Sequence, residues 1–315
     1  MKLEHIDKVA VIGTGMIGAS VAVLFTGNGY HTGMLAVNDN EAKSGIARYD
    51  DYYNDLIEKK LLTREQAAVC RKYLHITQSY ADLADADIVI ECVVENIDVK
   101  RSVYLMVEEH CTKYRALAST TSAISADDLC KNLACKERLI VAHPYNPPHL
   151  VPCIEIVPGD YTSTETLDTI TEFFLSVGRA PVAMLKGAPG FVANRLQHAL
   201  YREAVYMVEA GITTPEAIDR ALKTSFAPRY TSVGIFEHFD YAGLDMILSI
   251  EDYLFPTLCN ADKTQDMIRS RVELGNLGYK TGRGVYDWSK KDADDFRRRA
   301  SEPYLRFFNW SLPED

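Results

Sequence analysis

A glycine-rich turn near the start of the chain constrains the possible fold more than any other feature. An apolar run at residues 9–12 leads into Gly13-Thr14-Gly15-Met16-Ile17-Gly18, a G-x-G-x-x-G spacing that opens an amphipathic stretch. In this setting Gly13 permits a tight turn, Gly15 lets the backbone approach a pyrophosphate, and Gly18 allows close packing of strand and helix. The first helical N–H groups, from Met16 and Ile17 onward, then face the phosphates. Glycines alone would predict only a turn, but a strand before them and a helix after them favour dinucleotide binding.

The rest of the first half alternates short apolar runs with amphipathic stretches, the pattern of strand–helix–strand units in a parallel sheet. Strands are predicted at residues 9–12, 34–37, 88–92, 116–119 and 139–142, and helices near residues 16–28, 41–59, 99–111 and 126–133. Two further strands, at 153–157 and 181–185, flank a helix at 164–174 and extend one edge of the sheet. The prediction is an α/β, doubly wound, Rossmann-like domain with its switch point at the first strand.

The alternating pattern stops at residues 186–190, which read Lys-Gly-Ala-Pro-Gly. From there on, apolar residues recur at helical spacing, and a chain of 315 residues is long enough for two domains. We therefore predict a Rossmann-like domain over residues 1–188 and a smaller all-α domain over residues 189–315, whose apolar residues form a core and a subunit interface.

Composition excludes several classes of function. The net charge of −10 argues against nucleic acid and anionic membranes as partners, and no apolar run approaches the length of a membrane span. Seven scattered cysteines without a C-x-x-C predict neither disulfides nor a metal site, which is typical of a reducing cytoplasm. A small molecule is the expected ligand.

The adenosine ribose of a dinucleotide is usually bound by an acidic residue at the end of the second strand. Here that region reads Ala36-Val37-Asn38-Asp39, so Asp39 is the nearest carboxylate and Asn38 lies nearer the expected position. Asp39 has the alternative role of capping the next helix. Because no arginine lies within several residues to pair with a 2′-phosphate, NAD is favoured over NADP.

A histidine at the end of a predicted strand is the candidate catalytic base. His143 precedes a loop with three prolines, which hold it rigidly at the carboxyl edge of the sheet, where ligands bind in such folds. A neutral imidazole is a competent base near pH 7, and a carboxylate on its other nitrogen would fix the tautomer. Glu155, inside an apolar run, is the candidate carboxylate, although periodicity alone favours a solvent-facing residue of an edge strand.

Taken together, these motifs resemble the 3-hydroxyacyl-CoA dehydrogenase superfamily over nearly the whole chain, and are closest to its L-gulonate 3-dehydrogenase and lambda-crystallin branch. The motifs that carry the resemblance are the glycine loop, Val93-Val94-Glu95-Asn96 with Lys100, Ser119-Thr120-Thr121-Ser122, His143-Pro144-Tyr145-Asn146-Pro147-Pro148 with Glu155, and Gly190-Phe191-Val192-Ala193-Asn194-Arg195.

The resemblance implies roles for residues whose function the local sequence pattern does not decide. It implies that His143 and Glu155 form a catalytic dyad and that Ser122 and Asn194 orient the substrate and polarise its carbonyl. It also implies that Glu95, Lys100 and Ser122 lie beside the cofactor, and that the protein is a homodimer. By themselves, Ser122 would be a helix cap, Asn194 a polar residue early in a helix, and Glu95 with Lys100 a surface ion pair.

The chain departs from the family pattern at three places. Thr120 stands where relatives have asparagine, and Ala123 stands where many have a second serine. His149 follows the proline pair where gulonate-type relatives carry an aromatic residue, so it either meets the substrate or faces solvent.

The predicted activity is NAD-dependent hydride transfer between a 3-hydroxy acid, or its thioester, and the 3-keto form. A CoA thioester requires basic side chains along the cleft, whereas a free hydroxy acid requires a compact polar pocket, and the Pro147-Pro148 pair favours the free acid. Two alternatives remain: a crystallin-like structural protein, and a β-hydroxyacid dehydrogenase that uses a catalytic lysine.

Overall fold

The structure, a computed structural model, describes Leu3 and residues 5–314 of the chain. Its centre is an eight-stranded sheet in the order β3-β2-β1-β4-β5-β6-β7-β8, in which all neighbours are parallel except β6 and β7. The strands are β1 (Lys8–Ile12), β2 (His31–Leu35), β3 (Leu74–Thr77), β4 (Ile88–Glu91), β5 (Ala116–Ser119), β6 (Leu139–Pro144), β7 (Cys153–Val157) and β8 (Ala180–Ala183).

Among the residues that the structure describes, six helices connect these strands and six follow them. The first set is α1 (Met16–Gly27), α2 (Asp39–Glu58), α3 (Arg64–Arg71), α4 (Ile97–His110), α5 (Ala126–Leu129) and α6 (Thr164–Ser176). The second set is α7 (Ala193–Glu209), α8 (Pro215–Thr224), α9 (Ile235–Ala242), α10 (Leu244–Leu254), α11 (Asp266–Glu273) and α12 (Ala293–Ser301). Short 3₁₀ turns lie at Tyr80–Leu83, Lys136–Arg138, Arg229–Thr231, Phe255–Thr257, Tyr279–Thr281, Trp288–Lys290 and Glu302–Phe307.

The predicted doubly wound fold is confirmed, with the chain reversing direction across the sheet between β1 and β4. The sequence prediction misses β3, a four-residue edge strand whose side chains are mostly only partly buried. It also makes α5 too long, since that helix ends at Leu129 rather than near residue 133. Short elements give too few residues for a periodicity to show.

Both faces of the sheet are covered, as expected for parallel strands. On one face α1 is buried along its length from Gly18 to Gly27, and its Phe25 ring packs against Phe173 of α6 at 5.1 Å. On the other face Tyr104 of α4 and Leu129 of α5 lie in a second apolar cluster. The helix that opens at the glycine loop is thus held firmly in the core.

The chain divides into two compact units, of which the first comprises residues 1–191 and 299–315 and the second residues 192–298. This differs from the predicted second domain of 189–315, because the last segment returns to the first unit. The backbone N–H of Ser311 donates to Asn28 Oδ1 at 2.9 Å. Trp310 packs so closely on Gly27 that a Cβ there would lie 2.3 Å from the ring. These contacts bury the apolar residues of the tail, which the sequence pattern assigned to the helical domain.

The second unit is helical and has little core of its own. Among the described residues of this unit, Val205 is the one hydrophobic side chain that is buried. Large apolar side chains on α7, α9 and α10 are exposed, including Leu200, Phe236 and Leu248. Within the part of the chain that the structure describes, no helix is long and apolar enough to cross a membrane.

Candidate active site

The glycine loop joins β1 to α1 and has the shape that a dinucleotide requires. Gly13 has φ +111°, and a Cβ on it would lie 2.8 Å from the Cys92 carbonyl oxygen. A Cβ on Gly18 would lie 2.1 Å from the Gly13 oxygen, whereas a Cβ on Gly15 would have no atom within 4 Å. Gly15 also precedes α1 without a side-chain cap, so the first N–H groups of that helix are open. Open space and unsatisfied donors at one helix N-terminus fit a pyrophosphate.

The residues predicted to bind the adenosine ribose lie where β2 meets α2. Asn38 is the N-cap of α2, and its Oδ1 accepts from the Glu41 backbone N–H at 3.0 Å. Asp39 Oδ1 accepts from Gln78 Nε2 at 2.7 Å. Both side chains therefore already bind protein atoms, and the cap is Asn38 rather than Asp39.

Glu91, at the carboxyl end of β4, is a fully buried carboxylate that the sequence prediction did not include. Its Oε1 accepts from Lys100 Nζ at 2.8 Å and from the Val93 backbone N–H at 2.7 Å. Its Oε2 accepts from Lys100 Nζ at 3.1 Å, from the Tyr104 hydroxyl at 2.6 Å and from the Ser119 hydroxyl at 2.7 Å. Such saturation compensates the desolvation of a buried charge. A carboxylate ending an otherwise apolar strand was the available sequence signal.

Lys100 lies between two carboxylates, because its ammonium is also 3.2 Å from Glu95 Oε2. Only 1% of the Lys100 side chain is exposed, which excludes the surface ion pair considered from the sequence. Glu95 in turn accepts from the Thr121 hydroxyl and from the Ser122 backbone N–H. Partial burial raises the pKa of Glu95, but the hydrogen bond from Thr121 and the charge of Lys100 outweigh it, so the pKa lies below its ordinary value.

Ser122 follows β5 on the same edge of the sheet as the glycine loop. The helix cap considered from the sequence is wrong for this residue, because Ser125 is the N-cap of α5. The Ser122 side chain is exposed, and among the described residues its hydroxyl has no hydrogen-bond partner. The backbone N–H of Ser122 donates to the Glu95 carboxylate, which anchors the residue that carries this hydroxyl.

His143 and Glu155 face each other across the antiparallel pair β6 and β7, where they are register partners. His143 Nδ1 lies 2.9 Å from Glu155 Oε2, with 12% of the His143 side chain exposed and none of Glu155. The expectation of a solvent-facing Glu155 is wrong, because β7 lies between β6 and β8 instead of at an edge. An ionised carboxylate can only accept, so the neutral tautomer that satisfies this contact has its proton on Nδ1 and an unprotonated Nε2. The imidazole also lies 5.5 Å from the Phe191 ring, centroid to centroid.

His149 anchors the loop after His143 to α1. Its Nδ1 lies 2.7 Å from the Ser20 hydroxyl of α1, and its backbone N–H donates to the same oxygen at 3.1 Å. Burial lowers the pKa of His149 to about 3, and the charges of Arg179 and Lys59 add to the effect. His149 is therefore an interior residue, and neither role considered for it from the sequence, substrate contact or solvent exposure, is correct.

Asn194 is the second residue of α7 and belongs to the second unit. Its role toward the substrate stays a prediction. The other predicted site residues lie at the carboxyl ends of four strands. The glycine loop follows β1, Glu95 and Lys100 follow β4, and Ser122 follows β5. His143 lies at the end of β6 itself.

A doubly wound sheet with a pyrophosphate-shaped glycine loop at its switch point, and a paired imidazole at a strand end, defines the class of nicotinamide-dependent dehydrogenases. Within that class, the chain belongs to the 3-hydroxyacyl-CoA dehydrogenase family. Residues 8–187 match its NAD-binding domain and residues 190–288 match its C-terminal domain. NAD is accordingly the cofactor of the first unit.

Known relatives span most of the chain. It is 31% identical over 285 residues to 5-formyl-3-hydroxy-2-methylpyridine 4-carboxylate 5-dehydrogenase of Mesorhizobium japonicum, covering 89% of this chain and 90% of the relative. It is 31% identical over 242 residues to rabbit (Oryctolagus cuniculus) lambda-crystallin, covering 75% of each. A crystal structure of a 5-formyl-3-hydroxy-2-methylpyridine 4-carboxylic acid 5-dehydrogenase superimposes with a TM-score of 0.83 at 28% identity, over 96% of this chain and 97% of that one. The resemblance inferred from the motifs is confirmed.

Proposed function

We propose that this protein is an NAD-dependent dehydrogenase that interconverts a 3-hydroxy acid, or its thioester, and the 3-keto form, with His143 as the catalytic base. The observation that carries the proposal is the 2.9 Å contact between His143 Nδ1 and the buried Glu155 carboxylate. A base of this kind must keep one nitrogen free for the substrate, and the partner must hold the other.

In the oxidation, His143 Nε2 accepts the hydroxyl proton while the C3–H bond breaks. NAD, when bound, supplies the acceptor for the hydride that leaves C3. The imidazolium formed in this step is stabilised by Glu155, whose negative charge is already desolvated and fixed in place. In the reverse reduction, His143 returns the proton to the oxygen of the keto group.

The cofactor would be held along the carboxyl edge of the sheet. Its pyrophosphate fits at Gly13, Gly15 and Gly18, where the N–H groups of Met16 and Ile17 open α1. Asn38 and Asp39 would lie on the side of the adenosine ribose, and Glu95, Lys100 and Ser122 would flank the nicotinamide half. We assign substrate orientation to the Ser122 hydroxyl and to Asn194.

The substrate class is open between a free hydroxy acid and a CoA thioester. The family includes 3-hydroxybutyryl-CoA dehydrogenases, such as that of Clostridioides difficile, which is 28% identical over 284 residues. A relative named for a pyridine carboxylate, a substrate without a thioester, is 31% identical, and the 3-hydroxybutyryl-CoA dehydrogenase of Bradyrhizobium diazoefficiens is 32% identical. Sequence identity therefore does not separate the two classes, and the Pro147-Pro148 pair favours the free acid.

The burial of Lys100 bears on the rival mechanism with a catalytic lysine. The Lys100 side chain is 1% exposed and its ammonium is bound to Glu91 and Glu95, so it is not open to a substrate hydroxyl. No structural observation favours the crystallin-like alternative, because a bulk structural role does not require His143 and Glu155 to be paired.

The experiment is to follow reduced-nicotinamide absorbance with purified protein and L-gulonate, L-carnitine, 3-hydroxybutyrate or 3-hydroxybutyryl-CoA, each with NAD. Turnover of a free acid supports the favoured class, and preference for the thioester supports the acyl-CoA alternative. His143→Gln should abolish turnover. If Lys100→Met abolished it while His143→Gln did not, the mechanism would be wrong.

We also propose that the protein is a homodimer joined through its helical unit. The apolar side chains on α7, α9 and α10 are too many to be left in water by a stable monomer. Sedimentation velocity at micromolar concentration should give twice the mass of one chain, and a monomer would contradict this assembly.

A further inference from the structure

The end of β2 lacks the carboxylate that selects NAD in most dinucleotide-binding domains. Ile12 of β1 pairs with Leu35 of β2, and the Gly13 N–H donates to the Leu35 oxygen at 3.0 Å. Val37 lies two residues beyond Leu35, and 78% of its side chain is exposed. An acidic residue in this region hydrogen-bonds the ribose 2′-hydroxyl and repels a 2′-phosphate. Val37 does neither.

The nearest carboxylate is directed to the other side of β2. Asp39 accepts from Gln78, which follows β3, and β3 lies on the opposite side of β2 from the glycine loop of β1. Asn38 is used as the cap of α2. The two polar residues after Val37 thus serve the local structure.

A cation on α2 contacts the glycine loop near this end of the sheet. Arg48, on the third turn of α2, donates from Nη1 to the Thr14 carbonyl oxygen in the glycine loop at 3.2 Å. The helix can come this close because it carries Gly45, where a Cβ would lie 2.6 Å from Thr14 Cβ. The other N–H groups of the exposed Arg48 have no hydrogen-bond partner among the described residues. Arginine is the residue that accommodates a 2′-phosphate in NADP-binding relatives of this fold.

We propose that the cofactor site admits the 2′-phosphate, so that NADP(H) binds with nearly the affinity of NAD(H), with Val37 as the permissive residue and Arg48 as the phosphate ligand. The absence of an arginine near residue 39 in the sequence favoured NAD alone, because the return of α2 to the glycine loop is visible only in the fold. The proposal concerns cofactor binding and holds whichever substrate is turned over.

The test is direct titration of NADH and NADPH, followed by nicotinamide fluorescence without substrate. For the unchanged protein we expect dissociation constants within about tenfold of each other. Val37→Asp should tighten NADH about tenfold and weaken NADPH by at least as much, the effect of one charge-assisted hydrogen bond. Val37→Asn, of the same size but uncharged, should leave NADPH binding within about threefold. Because Val37 is exposed, unfolding midpoints should not change.

A further variant tests Arg48 itself. Arg48→Gln should weaken NADPH about tenfold and NADH by less than about threefold. Equal loss of both cofactors in Arg48→Gln would overturn the assignment of Arg48 to the 2′-phosphate. Rejection of NADPH by more than about a hundredfold in the unchanged protein would overturn the whole proposal.

Discussion

The Lys100 ammonium lies 2.8 Å and 3.1 Å from the two carboxylate oxygens of Glu91, and neither side chain is accessible to solvent. This pair connects the ends of two strands with α4, because Ser119 of β5 and Tyr104 of α4 donate to the same carboxylate. Glu95 extends the network to the backbone of Ser122. The loop that carries a predicted substrate ligand therefore depends on a charge buried beneath it.

Glu91→Gln should destabilise the protein by about 3–5 kcal/mol, because it leaves a buried ammonium with half of its counter-charge. Chemical denaturation would measure the loss. Asp85→Asn is the matched control, since Asp85 pairs with Lys8 at the surface and its loss should have little effect. An equal small effect of both changes would show that the buried pair is not structural.

His143→Gln and Glu155→Gln should each lower kcat by about 10²–10⁴-fold while leaving NADH affinity unchanged. In the first variant the base is lost. In the second the imidazole faces an uncharged amide that can donate to Nδ1, so neither its tautomer nor the imidazolium is stabilised as before. Glu165→Gln, on the exposed face of α6, is the control and should retain full activity. A Glu155→Gln enzyme with normal kcat would remove Glu155 from the mechanism.

His149 should make the protein less stable in acid. Its folded pKa of about 3 lies below the ordinary value of 6.5, so the unfolded chain binds the proton first as the pH falls. Stability from this residue is therefore complete above about pH 6.5 and is lost between there and about pH 3, by about 2 kcal/mol at pH 5. Denaturant titrations at pH 7.5 and pH 5 should differ by this amount, and His149→Gln should reduce the difference. An unchanged difference would assign the acid sensitivity to other groups.

Trp310→Ala should cost about 3–5 kcal/mol, because the ring fills the notch left by Gly27 and the site cannot close over the cavity. Thermal unfolding would measure it. Phe307→Ala, in the same segment but more exposed, should cost much less. Equal shifts for the two variants would mean that the tail does not stabilise the first unit at this contact.

Much of the fold was readable from the sequence because its signals are long or specific. The glycine loop, the alternating elements and the position of His143 predicted the sheet and the edge on which the site lies. The burial of Glu155 could not be predicted from periodicity, because only the register between β6 and β7 places it opposite His143. The interior position of His149 could not be predicted either, because its partner Ser20 is far away in the chain.

The network around Glu91 shows a different limit. Its members come from β4, β5 and α4, and only the sheet register that pairs Glu91 with Ser119 brings them together. The return of α2 to the glycine loop, which aims Arg48 at Thr14, is equally a property of helix packing. Sequence spacing predicts which face a residue occupies, but contacts between elements require the fold.

Residues 299–314 pack on the first unit although the whole helical unit precedes them in the chain. During synthesis, all of residues 192–298 must therefore leave the ribosome before the last segment can pack on Gly27 and Asn28. Until then α1, which carries the glycine loop, has an apolar surface open to water and to chaperones. A translation product that stops after the helical unit would have every predicted catalytic residue and yet an unfinished nucleotide-binding domain.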